Sequence, residues 1–526
     1  MTMPWDGKPH VAAFIDIGTN SIRLLVVRIN SNGSYTVLRQ EKEVVRLGES
    51  EFKDNVLIPA AMERAVVVCR KFAELAKNFR ADHVSAVATS AAREASNQQE
   101  FLDRIRSGAG LEVSVISGRE EARLIYLGVS SALHLGRKKG LFIDIGGGSC
   151  EVIIGDQKQY HYLDSLKLGA IRMTTIFVPE GHTGPIPDAM YDKMRKYVRA
   201  AIIRTKKEVA DHKISVTVAS SGTAINLAQI AVQMFDLDEN QPLRLRRSHL
   251  KKLSAHLRSL GLEKRRAVPG INPERADIII GGAATLETLM DELGIDEVLV
   301  SERGLRDGLF VEYLGEIGLL PDSDTVTVRE RSVLQLARSC DMDEDHATIV
   351  QRLALQLFDS ARLVKLHSYG GWEREMLSYA AFLHDIGDFI SFNNHHLHSY
   401  YIIINSELLG FDQKETAIIA NIAKFHRKKV PRRNDPDMDG LDHQTQETIS
   451  QLSALLRIAE SLDRSHVGMV EGTGFIRATK ERAVLRILSK GECQLECWGV
   501  EADGKAFQKA YGRALVTDVE VDKGSW

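Results

Sequence analysis

Apolar positions along the chain follow different periods in different regions. As far as about residue 320, apolar runs of strand length alternate with stretches of helical periodicity. From there to about 470 one helical pattern follows another. The remainder returns to short alternating stretches such as AVLRILS (483–489) and RALVTDVEV (513–521). Two runs in the first region end alike, FIDIGTNS (14–21) and FIDIGGGS (142–149), each closing on Asp-x-Gly. Two further strands are predicted after each copy, at 22–28 and 35–45 and at 150–155 and 158–168. Strands at 84–88 and 216–219 then end in ATSAAR (88–93) and SSGTA (220–224) ahead of helical patterns, and fifth strands lie in VSVISGREEA (113–122) and VLVSERGLRDG (298–308). The second copy also carries a helical, basic insertion at about 231–275. Self-similarity on this scale predicts two α/β halves, each a mixed sheet with helices packed on it.

A strand, a tight glycine turn and a returning strand place backbone N–H groups around an anion, and an Asp at the strand end can hold a metal. Two such loops predict two halves facing one polyphosphate-sized cleft. Gly18, Thr19, Asn20 and Ser21 can cradle one phosphate, and Gly146, Gly147, Gly148 and Ser149 another. Asp16 and Asp144 are candidate ligands for Mg²⁺ or Mn²⁺. Glu151 lies two residues beyond Ser149, on the same face of a strand, and can complete the metal site. Glu120 and Glu121 sit where the fifth strand gives way to a helix. Either they stabilise its first turn, or one of them is a general base whose pKa the helix dipole would lower. Gly281 and Gly282 in IIIGGAATLETLM resemble the adenosine-side turn of nucleotide-binding relatives, or read simply as a tight strand-to-helix turn.

With DIGTNS, SGREEARLIYLG, DIGGGSCE and a downstream HDIG in that order, the chain resembles the exopolyphosphatase and guanosine pentaphosphate phosphohydrolase family over nearly its whole length. The resemblance implies two ribonuclease-H-like domains of the sugar kinase and actin superfamily (1–135 and 136–320), a helical HD-like domain (321–466) and a small β or α+β domain (467–526). It implies Glu121 as the general base, Arg93 as a phosphate contact and Glu151 as a functional acid, with Cys150 in place of the more usual Thr beside it. It implies inorganic polyphosphate or guanosine pentaphosphate as substrate, and a homodimer. The helical region carries His346, His384, Asp385, His398, His426 and Asp463 in the order of the HD phosphohydrolase fold. That order implies a second divalent metal, of the kind imidazole and carboxylate ligands suit.

Composition narrows the alternatives. The chain has 526 residues, 44% hydrophobic and 26% charged, which leaves room for three or four domains. No apolar run reaches membrane-spanning length and the first ten residues lack the apolar core of a signal peptide, so a cytoplasmic location is expected. Five scattered cysteines do not make a disulfide framework, and Cys493 and Cys497 have no second pair nearby to make a zinc site. Net charge is −3, yet 244–266 and KFHRKKVPRR (424–433) are strongly basic. These runs read either as solvated helix faces or as a track for a long phosphate chain. Interleaved aromatics and nucleic-acid motifs are missing, so no specific nucleic-acid binding is expected. Two other functions fit the loops: a kinase or ATPase of the superfamily, and a non-catalytic sensor of alarmones or polyphosphate.

Overall fold

The computed structural model describes residues 7–49, 51–136, 138–238, 243–319, 327–406, 408, 410–431, 435–438 and 441–521. The chain divides into two compact units, Met1–Val328 and Arg329–Trp526.

The first unit contains two sheets of the same plan. In the first, β1 (His10–Ile17), β2 (Ser21–Ile29) and β3 (Tyr35–Val44) form an antiparallel meander, and β4 (His83–Ala88) and β5 (Ser114–Val115) add in parallel beyond β1, in the order β3-β2-β1-β4-β5. In the second, β6 (Lys139–Ile145), β7 (Cys150–Gly155) and β8 (Tyr160–Leu166) repeat the meander, with β9 (Ile214–Ser220) parallel to β6. β11 (Glu297–Val300) follows in parallel, and β10 (Arg244–Arg246), from the insertion, pairs antiparallel at its edge.

β1 is apolar on both faces because both are covered. Ala13, Ile15 and Ile17 pack with Met62, Cys69 and Phe72 of the helix Pro59–Asn78. Ala12 and Phe14 pack with Ala122, Ile125 and Val129 of the helix Gly118–Ser130, and with Leu309 and Phe310 of the helix Leu305–Glu316. Phe142, Ile153 and Val218 of the second sheet join this cluster, so these two helices share a core with both sheets. The helices meet through glycines: a Cβ on Gly128 would lie 2.2 Å from the Gly304 carbonyl oxygen, and one on Gly308 1.9 Å from that of Leu124. No side chain fits at either crossing point. The helix carrying Glu120 and Glu121 is thereby fixed against the chain that follows β11.

Three expectations change here. Gly281 and Gly282 do not form a strand-to-helix turn. They lie inside the buried helix Ile279–Glu292, where added Cβ atoms would come within 2.7 Å of the Ala170 carbonyl and 2.3 Å of Thr223. Their role is close helix packing. The cations of the insertion are mostly engaged: Arg244 and Arg246 with Glu297, Arg247 with Asp296, Lys251 with Asp291, and Arg258 with Asp188. Arg265 is buried against the carbonyls of Leu257, Leu260 and Ala276. Solvated and paired helix faces therefore describe this run better than a phosphate track.

The third concerns the second unit. Helices Glu344–Leu363, Gly371–Leu383, His395–Ile404, Gln413–Lys424 and His443–Ser461 are followed by β12 (Val470–Ala478), β13 (Arg482–Ser489), the helix Gln494–Tyr511 and β14 (Ala514–Val521). Alternation turns Ala483, Leu485 and Ile487 inward, and with Phe475, Val500 and Phe507 they join the core formed by Leu353, Phe358, Met376, Ile419 and Leu456. The amides of Thr473 and Phe475 also donate to Gln356 and Ser360 of the first of these helices. The terminal segment thus shares the helical core and does not form a core of its own. Of the basic run 424–433, Lys424 pairs with Asp435 and Asp437 and Lys428 with Asn394; Arg432 and Arg433 lie outside the described residues. Among the described residues all five cysteines are free, with Cys493 Sγ and Cys497 Sγ 3.7 Å apart, and no helix is long and apolar enough to cross a membrane.

Candidate active site

The β1–β2 and β6–β7 turns are built alike. Gly18 N donates to Ser21 O at 3.1 Å, and Gly146 N to Ser149 O at 3.1 Å. The other loop carbonyls are held from behind. Thr19 O accepts from Gly48 N, and Asn20 O from the amides of Val45 and Arg46. Gly146 O accepts from Ala170 N, Gly147 O from the amides of Ile171 and Arg172, and Gly148 O from Arg172 Nε at 2.6 Å. In a planar trans peptide the N–H points away from the C=O of the same unit. Tying these carbonyls back therefore turns the amides of Asn20, Ser21, Gly147, Gly148 and Ser149 forward, as an anion cradle requires. The two loop tips touch, since a Cβ on Gly147 would lie 2.9 Å from Thr19 Cβ, and the second loop also packs on the helix Ser90–Glu94, where a Cβ on Gly148 would lie 2.5 Å from Ser90 Oγ.

Between the loops lies a cavity of about 70 Å³ lined by Asp16, Thr19, Asn20, Glu121, Asp144 and Ser149, together with Arg23, Ser221 and Arg275. Glu151 sits directly opposite Asp144 in the β6–β7 ladder. Burial raises the pKa of Asp16 to about 6 and pushes those of Asp144 and Glu151 upward, Glu151 also through the nearby charges of Glu121 and Asp144. Glu151 Oε1 accepts from Ser165 Oγ at 2.7 Å, while its buried Oε2 has no partner. The side-chain oxygen and nitrogen of Asn20 are likewise buried and unpartnered. Carboxylate oxygens are the donors a hard divalent cation takes, but among the described residues Asp16, Asp144 and Glu151 do not draw their oxygens together into a metal cluster, and Glu151 does not line the cavity.

The two glutamates of SGREEA separate cleanly. Glu120 turns outward and pairs with Arg123 at 2.6 Å. Glu121 is buried, and Arg93 Nη1 donates to its Oε2 at 2.9 Å. The expected lowering of its pKa by the helix dipole is not found, because burial outweighs the dipole and Arg93 and raises it to about 7. Arg93, expected on phosphate, is held between Glu121 and the Ile116 carbonyl and is not among the residues lining the cavity.

Sequence reasoning missed the cations. Arg23 faces Asp16 across the β1–β2 ladder, the position that Glu151 holds opposite Asp144 in the other copy, so alignment of the two hairpins could have found it. Lys42 is the next residue in that cross-strand row. Though its side chain is exposed, partial desolvation and the charges of Arg275 and Arg23 lower its pKa to about 8. Arg275 comes from the insertion and is buried over Gly222, whose absent side chain leaves the space; no local pattern marks it. A larger cavity, about 800 Å³, lies at the opposite ends of β6 and β9 among Leu133, Lys138, Lys206 and Ile214, far from the loops and their carboxylates.

The sequence matches the Ppx/GppA phosphatase family over residues 25–317, more than half of the chain, and that family's domain III over residues 328–491. The chain belongs to the Ppx/GppA phosphatase family. The first unit is similar in fold to an exopolyphosphatase from Cytophaga hutchinsonii, at 26% identity and a TM-score of 0.55 over 59% of this chain and 100% of that one. An exopolyphosphatase-like protein is 28% identical, with a TM-score of 0.53, over 58% of this chain and 98% of its own.

The domain III region of this Ppx/GppA phosphatase contains a second cluster. Glu460 Oε2 lies 3.1 Å from His346 Nε2 and 2.9 Å from His384 Nε2, and Asp385 Oδ2 lies 3.3 Å from His384 Nε2. The other oxygen of Asp385, buried and without a hydrogen-bond partner, faces His395 Nε2 at 3.2 Å and His426 Nε2 at 3.5 Å. Two members of the expected set change. His398 is not in the cluster, and His395, one helical turn earlier, takes its place. Asp463 accepts from His346 Nδ1 at 2.8 Å, behind the ring, and Glu460 supplies the carboxylate in front.

The far nitrogens fix the tautomers. The Nδ1 atoms of His384, His395 and His426 donate to the carbonyls of Ala381, Phe392 and Ala423, and that of His346 to Asp463. Four Nε2 atoms are left to converge on two carboxylates, the arrangement of imidazoles oriented for a metal.

Proposed function

We propose that the protein is an exophosphatase that removes terminal orthophosphate from inorganic polyphosphate, or from the 5′ end of guanosine pentaphosphate. The observation that carries this reading is the pair of amide-presenting loops closing on one cavity with Glu121 at its wall. At about 70 Å³ the cavity is far below the ~300 Å³ from which drug-sized ligand pockets begin. It suits the end of a phosphate chain and not a nucleoside. The family membership and the exopolyphosphatase fold neighbour support phosphoanhydride hydrolysis.

In this reading Asp16, Asp144 and Glu151 would hold Mg²⁺ or Mn²⁺, which when bound neutralises charge on the phosphate oxygens. The loop amides and the hydroxyls of Thr19, Ser21 and Ser149 hold the terminal group. A water attacks its phosphorus while Glu121, oriented by Arg93, takes the water proton. The P–O bond to the bridging oxygen breaks, and the shortened chain leaves with that oxygen. Arg23, Lys42 and Arg275 form a cationic wall for the phosphates behind the scissile one. A kinase or ATPase would need a nucleoside site, and its one sequence hint, Gly281-Gly282, is packed inside a helix.

The test is orthophosphate release from long-chain polyphosphate and from guanosine pentaphosphate with Mg²⁺, wild type beside Glu121→Ala. Release by the wild type alone supports hydrolysis with Glu121 as base. Binding of either compound without release supports a sensor.

A second reading concerns domain III. The converging Nε2 atoms favour a divalent metal such as Mn²⁺, Fe²⁺ or Zn²⁺ on His346, His384, Asp385 and Glu460, with Asp385 able to reach a second ion on His395 and His426. Metal analysis of purified protein should find metal that His384→Ala loses. Equal metal content in the two proteins refutes the site.

A further inference from the structure

One carbonyl tie in the phosphate loops differs from the others. Thr19 O, Asn20 O, Gly146 O and Gly147 O are held by backbone amides of their own half, which any side chain would leave in place. Gly148 O is held mainly by a side chain. Arg172 Nε donates to it at 2.6 Å, while the amide of Gly169 reaches it at 3.3 Å, beyond the usual length of such a bond. This carbonyl shares its peptide plane with the Ser149 N–H, so the arginine sets where that amide points.

Arg172 is in turn held from the other half. It lies buried in the helix Ala170–Phe177, and its Nη2 donates at 2.6 Å to Oε1 of Glu94, the last residue of the helix Ser90–Glu94. Its guanidinium also lies over the Phe52 ring, 3.9 Å from the centroid. Lys167 reaches the other oxygen of Glu94 at 2.6 Å, but its side chain is 68% exposed and a pair of that kind contributes little. The Arg172 side chain, 7% exposed, is the substantial partner. One guanidinium therefore spans from a carboxylate of the first half to the backbone of the second loop, and its planar fork fixes the two bonds relative to each other.

We infer that Arg172 is a positioning residue: anchored by Glu94 of the first half, it orients the Ser149 amide of the second loop toward the terminal phosphate. This rests on the hydrolase reading of the cleft. Lysine at this position makes the test specific. It carries a methylene where arginine has Nε, so it keeps a cation beside Glu94 and loses the bond to Gly148 O.

The experiment measures orthophosphate release from long-chain polyphosphate with Mg²⁺, and thermal denaturation, for wild type, Arg172→Lys, Glu94→Gln and Lys167→Ala. Rates are taken well below every melting temperature. Arg172→Lys should lower kcat by about 10²-fold, the scale of losing one preorganised backbone donor. Its KM should change less than about 3-fold, because Arg23, Lys42 and Arg275 still hold the chain behind the terminal group. Glu94→Gln, which keeps a hydrogen bond but not the charge, should lower kcat by about 3–10-fold, and Lys167→Ala should leave it unchanged. A merely structural role would lower the melting temperature and leave the kcat of the folded protein as it was. Wild-type kcat in Arg172→Lys overturns the inference while leaving hydrolysis in place, and wild-type kcat in Glu94→Gln overturns the part given to the first half. A wild type that binds polyphosphate and releases no orthophosphate overturns the hydrolase reading and this inference together.

Discussion

Replacement of Glu121 by Gln should make the metal-free enzyme more stable and nearly inactive. The carboxyl has a pKa near 4.5 when exposed and about 7 when buried here. That difference is worth about 3 kcal/mol at pH values above both, at roughly 1.36 kcal/mol per pKa unit. The sign follows from the raised value: the folded state favours the protonated form, so stability present below pH 4.5 is lost as pH rises through about 7. Glutamine carries no such dependence. It does leave Arg93 without its charged partner, which offsets part of the gain, so about 1–2 kcal/mol should remain at pH 8. For a chain of this size that corresponds to a melting temperature about 1–3 °C higher. Thermal denaturation in EDTA at pH 5 and pH 8, beside orthophosphate release with Mg²⁺, measures both effects. The gain should be largest at pH 8 and vanish near pH 5, while turnover falls by about 10²–10⁴. A Gln variant less stable than wild type at pH 8, or one that keeps a tenth of wild-type turnover, would refute the reasoning.

Because the base must be ionised, the rate should fall on the acid side with a midpoint at or below about pH 7, the bound metal lowering it further; a rate flat from pH 5 to 8 counts against Glu121. Gly148→Ala should cost at least about 10-fold in turnover, since its Cβ would lie 2.5 Å from Ser90 and 2.7 Å from Phe52 and must displace the loop. Arg275→Gln should raise the polyphosphate KM several-fold, flatten its salt dependence and change kcat little; an unchanged salt slope would show that the arginine does not meet the chain. In domain III, metal affinity should rise with pH, because, against the lowering effect of burial, the hydrogen bonds His346 donates to Asp463 and Glu460 raise its pKa to about 9 and a metal must displace that proton. Titration calorimetry in buffers of different ionisation enthalpy reads this release directly.

The sequence by itself determined what short-range geometry determines. A strand that ends in Asp-x-Gly and returns as a strand has few ways to fold, so both loops, the positions of Asp16 and Asp144 and the placement of Glu151 opposite Asp144 were legible from hairpin logic. The duplication and the helical region were legible for the same reason, since each is a repeat of local period. Tertiary structure alone decided what comes from remote segments. It brought Arg275 out of the insertion onto Gly222, and it buried Glu121 deeply enough to reverse the direction its helix dipole suggested. It also chose His395 over His398 and put Glu460 in front of His346 with Asp463 behind it. Each pair is separated by three positions, a spacing that keeps both residues near one helix face and leaves the choice to what packs against it. Local spacing fixes which residues could meet; the packing of distant elements fixes which do, and what charge they carry there.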